Sequence, residues 1–289
     1  IDVIEDGYDK NGRTLSLKGR DLMGLLVDSY CEESVTDENI SLKTLAEKLL
    51  KSVPFINRKD IIYSKGNKLR AVPLRAEKDE KRFAQIGLGE TIFEALKNYA
   101  MESGKLFFSM PDGTFVFGEP LTKGAASFTL INRKDGSGNI KSGKRTRDIS
   151  KRYSKVKIIH ESQGDNDTAA VDLQDAKEAI DKSAPFYKDG KLVFYKPFVG
   201  TADHDGQNLA KYAAVIMDQQ KFEGHSLEYV TSGYSQRNKN YQINTICHVI
   251  DDVLNIKEDM LIYARTFSMS KDEGTTTTLR LSKLGVLPA

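Results

Sequence analysis

Four short segments near the carboxyl end constrain the fold more than anything else in the sequence. Leu227-Glu-Tyr-Val-Thr-Ser232 alternates apolar and polar residues. Tyr241 to Ile250 alternates more clearly, with Tyr241, Ile243, Thr245, Cys247 and Val249 on one face. Met260 to Met269 and Thr275 to Ser282 follow, and Asp251-Asp252, Glu258-Asp259 and Lys271-Asp-Glu-Gly274 read as the turns between them. Apolar residues at period two, interrupted by turn residues about every ten positions, predict an antiparallel sandwich or barrel. An amphipathic helix expected over Asp203 to Glu223 leads into this sheet. Leu209, Tyr212, Ala213, Ile216, Met217 and Phe222 form its stripe, and Gly224 is its stop.

Upstream, the chain starts inside a strand pattern. Ile1-Asp-Val-Ile4 turns at Asp9-Lys-Asn-Gly12 and returns as Arg13 to Lys18. A lone hairpin is marginal in water, so the expectation is that strands preceding Ile1 complete a first barrel. Asp21 is placed to cap a short helix through Leu22, Leu25, Leu26 and Tyr30. Ser41 is placed to cap a second through Leu42, Leu45, Ala46, Leu49 and Leu50, with Pro54 ending it. Residues 55–86 are mixed, with a strand at Ile61 to Ser64 and a polar run at Glu77 to Arg82. Glu90 to Ser103 reads as a helix, followed by a hairpin of Lys105 to Ser109 and Thr114 to Gly118 around Met110-Pro-Asp-Gly113.

In the second half, Ala126 to Asn132 and Ser154 to Glu161 read as strands. The polar, Gly-rich stretch Arg133 to Arg147 reads as a loop, and Gly164-Asp-Asn-Asp167 as a turn. Ala169 to Ser183 reads as a helix, Lys188-Asp-Gly190 as a turn, and Leu192 to Tyr195 as a strand.

The fold class expected is therefore α+β. Antiparallel β-barrel domains are joined by a small α/β domain, and the amino-terminal barrel is incomplete. Residues 1–24 are the end of a first barrel, 25–120 a small α+β domain, and 121–289 a second barrel carrying the long helix at 203–223.

Composition removes several function classes. A net charge of +2 demands neither a nucleic acid nor an anionic membrane partner. No apolar run approaches the roughly 20 residues of a spanning helix, and no signal-peptide pattern opens the chain. Cys31 and Cys247 are the only cysteines, which gives no disulfide framework. With no tryptophan, the 12 tyrosines and 13 phenylalanines supply the core bulk.

The chemistry-bearing patterns are weak. Gly138-Asn-Ile-Lys-Ser-Gly143-Lys144-Arg145 has the glycine and lysine spacing of a phosphate loop, but Arg145 stands where the hydroxyl residue belongs and a strand follows. Gly224-His-Ser226-Leu-Glu228 lacks the last glycine of a nucleophile elbow and runs from helix to strand, the reverse of that motif. Asp203-His-Asp205 sits where a helix start favours acidic residues. His160, His204, His225 and His248 do not cluster in sequence. Asp135-Gly-Ser-Gly-Asn139 lacks the distant glutamate of a calcium loop. The one dense charge cluster is basic: Lys141, Lys144, Arg145, Arg147, Lys151, Arg152, Lys155 and Lys157 against Asp148 alone. Lys141, Lys144, Arg145, Arg147, Lys151 and Arg152 are the candidate partner-contact loop. An acidic protein surface and a solvated loop fit it equally; base stacking is not indicated with only Tyr153 there, and DNA comes third given the near-neutral net charge.

The order of elements carries a resemblance. A hairpin ends in Gly19-Arg20-Asp21-Leu22 and enters a helix. Gly87-Leu-Gly89-Glu90-Thr-Ile-Phe-Glu-Ala-Leu96 introduces another, and a hairpin carries Asp112-Gly113. Tyr195-Lys-Pro197-Phe198 leads towards the long helix, then come Tyr229-Val-Thr-Ser-Gly233-Tyr234 and Gly274-Thr-Thr-Thr-Thr278-Leu-Arg-Leu281. Over nearly its whole length the chain resembles the baseplate hub protein of Mu-like contractile-tailed phages, in the late-control-D family. The resemblance implies a non-enzymatic structural protein of the virion tail, assembled in the host bacterial cytoplasm. It implies a homotrimer whose two tube-like barrels per chain match a six-fold tail tube protein on one side and a three-fold central spike protein on the other. DNA is met only in transit through the channel. It implies no catalytic residue, cofactor, metal or membrane anchor. The competing readings are a cell-envelope hydrolase, which needs paired carboxylates or a nucleophile–base set, and a host carbohydrate-binding module, which needs exposed loop aromatics.

Overall fold

The computed structural model describes residues 1–51, 53, 61–64, 81–102, 104–110, 113–159, 176–183, 185–201 and 209–286. The chain divides into two compact units, one ending at Gly118 and one beginning at Glu119 that also takes in Gly104–Leu106.

The first unit opens with the hairpin of β1 (Val3–Asp9) and β2 (Gly12–Lys18). It continues through α1 (Met23–Asp28), β3 (Val35–Ile40), α2 (Leu42–Leu49), β4 (Ile61–Ser64), β5 (Arg82–Ile86), α3 (Ile92–Glu102), β6 (Leu106–Ser109) and β7 (Phe115–Gly118). β3 pairs antiparallel with β5, and a second sheet has the order β4-β7-β6. Sequence periodicity assigns neither partner of the β3–β5 pair. Val35-Thr-Asp-Glu-Asn-Ile40 carries too few apolar residues to alternate, and cross-strand pairing supplies what propensity lacks. Ser41 caps α2 as its position predicts, its Oγ accepting from the Thr44 amide at 3.1 Å. α3 starts two residues later than the pattern suggests, because Thr91 and Glu94 form a reciprocal capping box. The cap position of α1 falls on Leu22, not on Asp21 as expected, and carries no side-chain cap bond. Asp21, one residue earlier, accepts from the Met23 amide at 3.0 Å with one carboxylate oxygen and from the Ser109 hydroxyl at 2.6 Å with the other. Leu26, Leu42, Leu45, Ala46, Leu96, Ala100, Phe115 and Phe117 make the core of this unit.

The second unit is built on β8 (Phe128–Asn132), β9 (Ile140–Arg147), β10 (Lys155–Ile159), β11 (Ala176–Ile180), β12 (Tyr187–Lys188), β13 (Lys191–Leu192), β14 (Pro197–Thr201) and α4 (Leu209–Glu223). It ends with β15 (His225–Ser232), β16 (Ser235–Gln236), β17 (Lys239–Asn240), β18 (Thr245–Asp251), β19 (Ile256–Ser270) and β20 (Gly274–Lys283). Six of these form one sheet in the order β8-β18-β19-β20-β15-β9, antiparallel except for the parallel pair β8–β18. The sheet curls until its two end strands meet, bridging at Asn132 and Gly138. Phe128, Leu130, Leu227, Tyr229, Cys247, Val249, Met260, Ile262, Leu279 and Leu281 point into it from five of the strands.

Side chains finish the closure where backbone pairing stops. Asn139 accepts from the Ile131 amide at 2.7 Å and donates to the Thr129 carbonyl at 2.8 Å. Gln236, on the β16–β17 hairpin, accepts from the Thr129 amide and donates to the same carbonyl, both at 2.8 Å. The two amides stand in for a missing strand along the edge of β8, which would otherwise be an open pairing template. Gly138 is required at the turn into β9: its φ is +136°, and a Cβ there would lie 2.1 Å from the Ile131 carbonyl oxygen.

α4 covers a three-stranded sheet of order β11-β10-β14, packing Leu209, Ala213 and Met217 on Val156 and Ile158. A bulge between Ile262 and Ala264 turns Tyr263 outward, where its ring meets the Phe222 ring of α4 edge-on at 4.7 Å.

Several expectations are corrected here. The stretch expected as a loop is strand over Ile140–Arg147, because β15 supplies its partners along the full length. The helix expected over Ala169 to Ser183 is strand over Ala176–Ile180, held by β10; residues 169–175 lie outside the described residues. Glu258-Asp259 is not a turn but part of β19. The chain reverses at Asp252 to Asn255, where Asn255 takes φ 53°. Leu192 to Tyr195 forms strand only at Lys191–Leu192. The start of the long helix at Asp203, the Gly164 turn, Pro54, the polar run from Glu77, and Pro111-Asp112 of the hairpin lie outside the described residues.

Candidate functional site

The basic cluster is split by strand geometry. On β9, Arg145 pairs with Leu227 and Arg147 with His225, so both arginines share the face that points into the barrel. Lys144 pairs with Glu228 on the opposite, outward face. Lys141 donates to the Glu273 carbonyl of the β19–β20 turn at 2.9 Å. Lys151 lies exposed in a 3-10 turn capped by Asp148. Arg152 is committed internally, with its guanidinium 2.5 Å from Asp181 and 2.7 Å from the Ser183 hydroxyl. Burial pushes the Asp181 carboxyl up, but its bonds to Ser183 and Arg152 outweigh this and hold it below the usual carboxylate range. The six residues therefore do not form one loop surface.

What the structure does bring together is a mouth at one end of the barrel. Arg145, Arg147, His225 and Lys283 line a cavity of about 710 Å³ with Glu258, Asp148 and the apolar Ile149, Phe222, Ile256 and Val286. Lys283 pairs with the buried Met260, which puts it on the inward face like the two arginines. Burial first, and then the charges of Lys283 and Arg147, hold the His225 imidazole below its ordinary value. Lys283 and His225 are far from β9 in sequence, and only the register of the sheet reveals that they join the arginines.

Behind the mouth, a polar link crosses the barrel interior. Tyr229 on β15 donates to Asp251 on β18 at 2.8 Å, and both are buried. The other oxygen of Asp251 accepts from the Asn132 amide group at 3.1 Å and from the Val253 and Leu254 backbone amides at 2.9 Å. Gly143 leaves room for this link, since a Cβ there would sit 2.5 Å from the Tyr229 ring.

The other sequence patterns dissolve into structure. Gly138 and Gly143, the two glycines of the phosphate-loop spacing, are explained by the turn and by Tyr229. Ser226 lies within β15 opposite Thr146. Asp135 caps its own turn by accepting from the Ser137 amide at 2.9 Å. His248 pairs with Asp259 at 2.5 Å. His160, His204 and the Asp203–Asp205 segment lie outside the described residues. Among the described residues no group of three or more His, Cys, Asp or Glu could hold a metal ion, and no helix is long and apolar enough to cross a membrane. Both thiols are buried. Burial pushes Cys247 up to about 12, and it raises Cys31 with help from Glu90.

No protein-family model matches the chain, and no curated protein does. Solved structures do. A tail protein from Neisseria meningitidis MC58 is 26% identical, with a TM-score of 0.74 over 98% of this chain and 79% of that one. A 43 kDa tail protein of prophage MuSo2 from Shewanella oneidensis is 22% identical, with a TM-score of 0.70 over 98% of this chain and 78% of that one. The E. coli c3393 protein is a component of the type VI secretion system with structural similarity to the bacteriophage T4 tail proteins gp27 and gp5. It is 13% identical, with a TM-score of 0.53 over 99% of this chain and 61% of that one. The curled, strand-rich fold is that of phage tail proteins.

Proposed function

We infer that this chain is a structural baseplate hub protein of a contractile phage tail, of the Mu-like late-control-D type. The observation that carries the reading is the agreement of 98% of the chain with a tail protein at a TM-score of 0.74, a match of the whole chain and not of one barrel alone. In this reading, residues 121–289 hold one tube-like barrel, 25–120 a small α+β domain, and 1–24 the end of another tube-like barrel. Three chains close into a ring in the virion baseplate, adapting a six-fold tail tube protein to a three-fold central spike protein. DNA passes through the ring without being read. The work is mechanical and the chain is not an enzyme.

The first hairpin fits this reading. Its register puts Ile4, Leu15, Leu17 and Tyr8 on one face, together with Asp6 opposite Leu15 and Arg13 opposite Tyr8. The first four are 63%, 67%, 53% and 88% exposed. Exposed apolar side chains gathered on one face mark a surface that packs against something, and in this reading the remainder of the first tube-like barrel covers it.

Light scattering during size exclusion of the full-length protein, with its first barrel whole, tests the reading. The expected result is a particle of three times the mass of that full-length chain. A monomer throughout the micromolar range contradicts it.

A further inference from the structure

We propose that the basic mouth of the barrel is a docking site for an acidic, partly apolar peptide segment of a partner protein. The charge arrangement points to an anion. Arg147 and His225 are directly opposed on neighbouring strands, and Arg145 is the next residue on the same face of β9. Lys283 lies on that inward face from β20. Arg145, Arg147 and Lys283 thus bring three cations to one cavity, and like charges held together without a counter-ion are destabilising. Among the described residues neither Arg145, Arg147 nor Lys283 has an ion-pair partner, although Glu258 and Asp148 share the cavity. An incoming carboxylate relieves a repulsion that the fold otherwise carries.

Cavity shape and lining select a peptide over a nucleic acid. A volume of about 710 Å³ holds a few side chains. Ile149, Phe222, Ile256 and Val286 supply apolar contact beside the cations. The one ring among them, Phe222, is packed edge-on against Tyr263 and offers no free stacking platform. The two carboxylates of the lining, Asp148 and Glu258, oppose any anion alike, so the apolar side chains beside the cations carry the preference for a peptide. The residues that line the site all belong to one chain, so the inference stands apart from the trimeric hub reading.

The test is fluorescence anisotropy with a fluorescein-labelled peptide of alternating glutamate and leucine, against a labelled thymidine oligonucleotide of equal length. Two double variants accompany the unaltered protein: Arg147→Glu with Lys283→Glu, and Arg147→Gln with Lys283→Gln. Thermal melting confirms that each is folded, and the neutral pair carries the test if the charge-reversed pair is not. The expected result is saturable peptide binding that weakens with salt, falls about tenfold or more in the variants, and exceeds binding of the oligonucleotide. Absence of saturable peptide binding overturns the proposal, as does peptide binding unchanged in folded variants. Tighter binding of the oligonucleotide overturns it in favour of a nucleic-acid site. Oligomeric state enters none of these readouts, so a failure here leaves the trimer to its own test.

Discussion

Replacing Asp251 with alanine is expected to destabilise the protein by about 3–5 kcal/mol, with an earlier thermal transition and a lower denaturant midpoint. The size follows from how many donors one carboxylate serves. The Tyr229 hydroxyl, the Asn132 side-chain amide and the Val253 and Leu254 backbone amides all donate to it. Asp251 is 1% exposed and Tyr229 is fully buried, so the orphaned hydroxyl finds no water in its place. The link spans the barrel between strands that are not neighbours, and the two backbone donors belong to the turn into β19. One substitution therefore loosens a cross-brace and a turn together. Tyr229→Phe removes one donor and keeps the ring over Gly143, and it is expected to cost only about 1 kcal/mol. Equal losses in the two variants would show that the turn contributes nothing.

Replacing Arg152 with alanine is expected to cost about 3 kcal/mol or more, because Asp181 is then left buried without its cation. Asp181 is 1% exposed at its side chain and Arg152 17% exposed, so water screens the pair little. The same pair sets an acid limit. The folded Asp181 carboxyl titrates below its unfolded value of about 3.9. Its contribution is therefore whole above that pH and is lost as pH falls through the folded value. Stability of the unaltered protein measured from pH 5 down to pH 2 should fall through this window, and the Arg152→Ala variant should fall less steeply there. Parallel curves would remove Asp181 from the acid response.

What the sequence made legible, and what it hid, follows from which forces act locally. The strands β18 to β20 and the helices α2 and α3 announce themselves because their own residues repeat at the period of the element and bury one face. Residues 140–147 do not. Lys141, Ser142, Lys144, Thr146 and Arg147 are polar and exposed, and only pairing with β15 makes them a strand. Ala176–Ile180 is similar, an edge strand whose register comes from β10. Glu258 and Asp259 read as turn residues by type, yet the turn forms where Asp251 accepts from two successive amides and Asn255 tolerates a left-handed backbone. The basic cluster was visible as a run of charge, but its division between an inward and an outward face depends on register. Lys283 and His225 join it only through strands far apart in the chain. Gln236 and Asn139, which close the barrel seam, carry no local signal at all.

Electron-microscopic class averages of the purified protein, viewed down the particle axis, test the central claim most directly. The account predicts a closed three-fold ring with barrel density repeated about an open channel. Isolated single-chain particles with no ring and no channel would contradict it.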